Sequence, residues 1–188
     1  MPPTILPIRI TFTQPILGSA PKTDVYRDWI AARHPDPNGA DEETATAPNL
    51  DKGVTGFHRL PGGQPALYNY VVPGFFKEAC SALRRIPDTQ SAKVKAHRQI
   101  IDTLIFVGPR QIPLTPPSGW NGDMELLSRP LRAQTAQGER VAIAVSELLP
   151  AGTTAEFQIE ILGGVSVETV REWLDYGQRR GIGQWRNG

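Results

Sequence analysis

The chain has 188 residues and 20 Lys and Arg against 19 Asp and Glu, for a formal net charge of +1. That length suits one domain with a core of its own, and so even a balance excludes a global field toward nucleic acid, so that any such site is local. A single cysteine, Cys80, excludes an internal disulfide framework and a cysteine-rich zinc site.

Thr4–Gln14 alternates, with Ile8, Ile10 and Phe12 on one side and Arg9, Thr11 and Thr13 on the other, which predicts a strand. Pro7 suits its beginning or an edge. Pro15–Pro21 then leaves the sheet, and a short helix is expected over 23–33, capped by Thr23 or Asp24, with Val25, Trp29 and Ile30 as its apolar side. Residues 34–65 are rich in proline, glycine and acid (Asp36, Asp41, Glu42, Glu43, Asp51), which predicts a flexible insertion with a strand near Gly53–Leu60. His34 and His58 lie there without metal-ligand spacing and read as exposed loop histidines.

A strand through 66–72 is expected to run into a Pro73-Gly74 turn. A helix follows at once, with Phe76, Ala79, Cys80 and Leu83 on its buried face. Such a junction presents free amides to an anion, and Lys77 adds a charge one turn in. The plainer reading is an ordinary turn with a solvated lysine. Residues 91–103 read as another helix, with His97 among its apolar residues and therefore structural, and with Lys93, Lys95 and Arg98 opposite. Leu104–Val107 is strand-like, Gly108–Leu114 reads as an irregular edge, and Thr115–Asp123 as a turn-rich connection. Residues 124–147 predict a long hairpin with a polar tip at Gln134–Gly138. Arg129, Arg132 and Arg140 make this arm basic, fit for a phosphate backbone or another subunit, or equally a soluble hairpin whose charges guard against aggregation.

Ala155, Phe157, Ile159 and Ile161 alternate with Thr154, Glu156, Gln158 and Glu160 in a clean strand. Ser166 then caps a last helix with Val167, Val170, Trp173 and Leu174 on one face and Gly177 as its stop. The loop beyond carries Arg179, Arg180, Trp185 and Arg186 among glycines 177, 181, 183 and 188. Its guanidinium groups suit phosphates and its indole suits a base; the bland alternative is a solvated turn. This order predicts an α+β fold in one domain over 1–188. It is a ferredoxin-like, RRM-like sandwich with an inserted acidic loop and a long β-hairpin, lacking only its last strand.

Val71–Arg84, Leu149–Ile161 and Gly181–Gly188, in that order, resemble the RAMP superfamily of CRISPR effector proteins, which bind guide RNA on an RRM-like ferredoxin fold. The resemblance implies an RNA-binding subunit of an antiviral ribonucleoprotein that holds guide RNA by its backbone, without a cofactor. It implies RNA contacts at Gly74, Lys77 and Arg84 on the first of these stretches and at Arg179, Arg180, Trp185 and Arg186 around the glycine loop. Arg129, Arg132 and Arg140 would form a further clamp. Single-stranded RNA and other subunits of a multi-protein complex are the implied partners, with a homo-oligomer or filament expected. The family's glycine loop feeds a final strand, expected here to be truncated or supplied by a partner.

Two other readings stand beside it. One is a phage-encoded protein of the same fold that docks on or inhibits a nucleic-acid-binding complex without RNA, its acidic 36–51 segment mimicking nucleic acid. The other is an RNA endonuclease. The sequence has no Walker loop, HExxH, GxSxG elbow or cysteine pair, so no enzyme is expected. No apolar run approaches the ~18 residues of a spanning helix, and no signal peptide is visible, so a cytoplasmic protein without membrane contact is expected.

Overall fold

The protein is described as a computed structural model over residues 2–21, 54–135 and 138–182, with backbone alone at Pro21, 131–135 and 138–142. The helix expected over 23–33, His34 and the acidic 36–51 segment lie outside the described residues.

Alternation builds the principal sheet. β1 (Thr4–Thr11) runs antiparallel to β11 (Thr154–Ile161), pairing Thr4 with Ile161 and Thr11 with Thr154. Leu6, Ile8 and Ile10 pack on the core beside buried Ile159, Phe157 and Ala155, while Arg9 and Glu156 form an exposed ion pair on the other face. On its far side β11 pairs with β7 (Ile105–Gly108) and with the end of β8 (Gln111–Thr115). β8 also pairs with β6 (Pro65–Tyr68), and β6 with β5 (His58–Arg59). The order is therefore β1-β11-β8-β6-β5, antiparallel throughout, with β7 also on β11. Residues 111–115 thus form an internal strand, where the sequence pattern had suggested an irregular edge: Ile112 and Leu114 are buried in it.

A second sheet is built on the hairpin. β9 (Glu125–Thr135) and β10 (Gly138–Leu149) pair from Thr135–Gly138 to Glu125–Leu148, in agreement with the expected arm. The end of β10 also pairs with β2 (Ile16–Leu17) and, in parallel, with β4 (Val54–Gly56), which in turn pairs with β3 (Ala20–Pro21). The 15–21 segment therefore joins this second sheet, and the expected strand near Gly53–Leu60 is present as β4 and β5.

Helices cover one face of the principal sheet. α1 (Val71–Leu83), a short 3-10 turn (Ser91–Lys93), α2 (His97–Leu104) and α3 (Val167–Arg180) bring Phe75, Phe76, Cys80, Ile101, Val170 and Trp173 onto the sheet's apolar side. Four features depart from expectation. α1 begins at Val71, so Pro73 and Gly74 lie inside its first turn. Proline is tolerated there because amides of a first turn need no partner in the helix. β6 stops early because Asn69 is tied to the neighbouring strand region: its N–H donates to Arg110 O at 2.9 Å and its Nδ2 to Val107 O at 2.6 Å. The helix expected over 91–103 is two pieces, broken where Val94 is extended and Ala96 is left-handed at φ 50°. α3 passes through Gly177 and ends at Gly181, whose φ of +73° is a conformation glycine adopts without strain. Its start agrees with expectation, Ser166 Oγ accepting the Thr169 N–H at 3.2 Å.

Candidate functional site

The sequence points to two places, the start of α1 and the end of α3, and packing sets them side by side. A Cβ on Gly177 would stand 3.1 Å from Phe75 Cζ. The missing side chain thus lets α3 lie close on α1, which explains a glycine inside the helix. Phe76 packs on Trp173 with ring centroids 5.2 Å apart. Arg180 crosses from α3 to α1, its Nη2 donating to Glu78 Oε1 at 2.6 Å.

The proposed contact residues within the described stretches then find their places. Gly74 is exposed, but its amide donates to Tyr70 O at 3.2 Å within the helix, so this amide is not the free anion ligand a strand–glycine–helix junction would give. Lys77 forms an ion pair with Asp102 of α2 rather than standing as a solitary charge. Arg179 and Arg180 belong to the last turn of α3, where cations complement the helix dipole. Arg179 is exposed on an open cleft also lined by Leu83, Arg171, Glu172, Asp175 and Tyr176, so its surroundings carry both signs of charge. In the hairpin, Arg129 is half-buried opposite Ala144, while Arg132 stands opposite Val141 and Arg140 opposite Ala133 in the register. Trp185 and Arg186 lie outside the described residues.

Arg84 contributes to structure. Its Nη1 donates to His97 Nδ1 at 3.3 Å, and His97 Nε2 lies 2.9 Å from Ser81 Oγ. Arginine can only donate, so Nδ1 accepts and Nε2 carries the proton toward Ser81. Burial, together with the charges of Arg84 and Arg98, lowers the His97 pKa from its ordinary 6.5. Below that value the unfolded chain binds a proton the folded one resists. The stabilisation from a neutral His97 is therefore full above about pH 6.5 and is lost as pH falls toward the depressed folded value. His97→Gln is expected to flatten the fall in the urea midpoint between pH 7 and 5. An unchanged slope would contradict the assignment.

Two groupings were not foreseen from the sequence. The first is a polar chain under the helices. Trp173 Nε1 donates to Ser91 Oγ at 2.9 Å and Ser91 Oγ to Glu172 Oε2 at 2.5 Å. Backbone amides of Gln90 and Ser91 reach the same carboxylate at 2.8 and 3.0 Å. The second is aromatic. His58, half-buried in β5 rather than exposed in a loop, stands edge-on to Tyr68 at 4.3 Å, and Tyr68 stacks on Tyr70 at 5.5 Å and 15°. The Tyr-x-Tyr spacing at the end of an extended segment is the one feature that would have suggested it.

Among the described residues no three His, Cys, Asp or Glu side chains gather as a metal site, and no helix is long and apolar enough to cross a membrane. Comparison of the chain with protein-family models and with curated proteins finds no match.

Proposed function

We propose that the protein is an RNA-binding subunit of a CRISPR-like effector ribonucleoprotein, holding single-stranded guide RNA by its backbone beside neighbouring subunits. The observation that carries this reading is the strand order. β1 and β7 run parallel to each other with β11 antiparallel between them, and the helices lie on one face. A ferredoxin-like, RRM-like sheet has a split arrangement of this kind, which supports the finer fold proposed from the sequence. The long basic hairpin leaves the sheet between β8 and β11, a place from which an arm can reach a strand of RNA or a second subunit.

The contacts proposed are Arg179 at the end of α3, Trp185 and Arg186 in the sequence that follows it, and Arg129, Arg132 and Arg140 on the hairpin. Lys77, Arg84 and Arg180 take part as residues already oriented by Asp102, His97 and Glu78. Binding of this kind is led by phosphates and weakens with salt. A labelled 30-nucleotide RNA should bind the full chain at low salt. Arg179→Ala should flatten the dependence of log affinity on log salt by about 0.7. Arg180→Ala, which also breaks the Arg180–Glu78 pair, should act more strongly at the same site. RNA binding that ignores both substitutions would remove the end of α3 from the site. Absence of binding at low salt would overturn the function.

The pairing of Lys77 and Arg180 with internal carboxylates favours a second reading, a protein of this fold that docks on a nucleic-acid-binding complex without RNA. Specific capture of such a complex by a chain that binds no RNA would decide for it.

A further inference from the structure

Tyr70 is the most exposed of the large apolar and aromatic side chains described, at 64 %. It is also held firmly. Asn69, its neighbour, is tied to Arg110 O and Val107 O, and Tyr70 O accepts the Gly74 amide of α1. Behind its ring lies Tyr68, nearly parallel at 15°, and behind Tyr68 stands His58 edge-on, reaching diagonally from the paired strand β5. The three rings form a short column that starts at the paired strands β5 and β6 and ends in a tyrosine facing water. Exposing so large a ring gains nothing for folding. A planar, rigidly backed ring with an open face suits one kind of ligand surface above others, another flat π-system.

The charge beside it selects which. Arg110 is exposed and follows the β7–β8 corner, and its carbonyl takes the Asn69 N–H, so its backbone lies next to the Tyr70 segment. No carboxylate pairs with it among the described residues. Tyr68 is opposite Gln111 and out of phase with buried Leu67 and Ile112. The column therefore lies on the sheet face away from the helices, where Phe106 is also exposed, and not on the α1–α3 surface assigned above. A backed, exposed ring beside a chain segment that carries an exposed arginine suits a nucleotide, base on the tyrosine and phosphate on the arginine.

We propose that Tyr70, backed by Tyr68 and His58, stacks an unpaired base of single-stranded nucleic acid while Arg110 holds an adjoining phosphate. This rests on the nucleic-acid reading and adds to it a second contact surface. Stacking is indifferent to base identity and to the 2′-hydroxyl, so RNA and DNA strands of one sequence should respond alike.

The test uses the full chain and labelled 30-nucleotide RNA and DNA in anisotropy titrations over a range of salt. Tyr70→Ala is expected to weaken binding about 5- to 100-fold with the salt slope unchanged, whereas Tyr70→Phe keeps affinity within about twofold. Arg110→Ala should instead flatten the slope by about 0.7. RNA carrying 4-thiouridine should cross-link at Tyr70 or Tyr68, a readout that a merely structural tyrosine would not give. Tyr70 is exposed, so the thermal midpoint of Tyr70→Ala should stay near the wild type. If Tyr70→Ala binds as the wild type while Arg179→Ala does not, the stacking site falls and the α3 site stands. If the wild-type chain binds neither strand, both fall. Weakening on RNA alone would also overturn a stacking contact.

Discussion

Trp173→Ala is expected to lower stability by about 3–5 kcal/mol, enough to move the thermal midpoint of a chain this size by roughly 6–20 °C. The indole is fully buried, and it joins two things that the fold keeps separate elsewhere. Its ring packs on Phe76 and so fastens α3 to α1. Its N–H feeds the Ser91–Glu172 chain that anchors the 3-10 turn between α1 and α2. Trp173→Phe separates the two roles. It keeps an aromatic ring against Phe76 but leaves Ser91 without its donor, a loss of about 1–2 kcal/mol. Ser91→Ala removes the acceptor and strands the indole N–H in the core, so it should cost at least as much as Trp173→Phe. Urea unfolding of the three variants checks the ranking. A Trp173→Phe protein as unstable as Trp173→Ala would mean that the hydrogen bond, rather than packing, dominates. A Trp173→Ala midpoint within error of the wild type would refute the arrangement.

Period and capping were enough for the elements that carry their own two-faced pattern, turn or cap. β11 shows its two faces residue by residue because one side packs on helices and the other on solvent, and the structure keeps that alternation from Ala155 to Ile161. The hairpin and the Ser166 cap are legible for the same local reason. What failed was punctuation. Pro73-Gly74 and Gly177 read as a turn and a stop because those residues usually break helices. In the first case the chain had already turned at Asn69, whose partners Val107 and Arg110 lie far along the sequence. In the second, the missing side chain makes room for Phe75. Both are tertiary facts that no local window contains.

The candidate site divides in the same way. Its cations were found by composition, but whether each is available depends on partners a sequence cannot place. Asp102 meets Lys77, and Glu78 meets Arg180 across 102 residues of chain. His58 read as a loop residue because its segment has no period. Its strand exists only by pairing with β6, and the aromatic column depends on that pairing.

Gly18→Ala is expected to be the most damaging methyl group that can be added in the described residues. A Cβ there would sit 2.3 Å from Gly56 C and 2.5 Å from Gly56 O, and backbone cannot swing aside as a side chain can. The close approach has a purpose. Gly18 N–H donates to Glu147 O at 2.9 Å, and a Cβ on Gly56 would itself stand 2.7 Å from Glu147 Oε2. The two glycines thus make the space in which the buried Glu147 carboxylate accepts the Phe57 N–H at 3.0 Å and meets Arg59 Nη2 at 3.1 Å. Pushing β4 from the Gly18 segment loosens that carboxylate as well as the sheet pairing, so the cost should exceed the roughly 1–3 kcal/mol of ordinary overpacking. Gly74→Ala is the matched contrast. It lies in the first turn of α1 with open space where its Cβ would go, and alanine there should be neutral or stabilise by up to about 1 kcal/mol. Chemical denaturation of the pair decides the matter. Gly18→Ala unfolding at the wild-type midpoint would mean that Gly18 and Gly56 do not lie as close as described. Gly74→Ala losing stability would mean that a partner or strained backbone, rather than a plain helix turn, occupies that position.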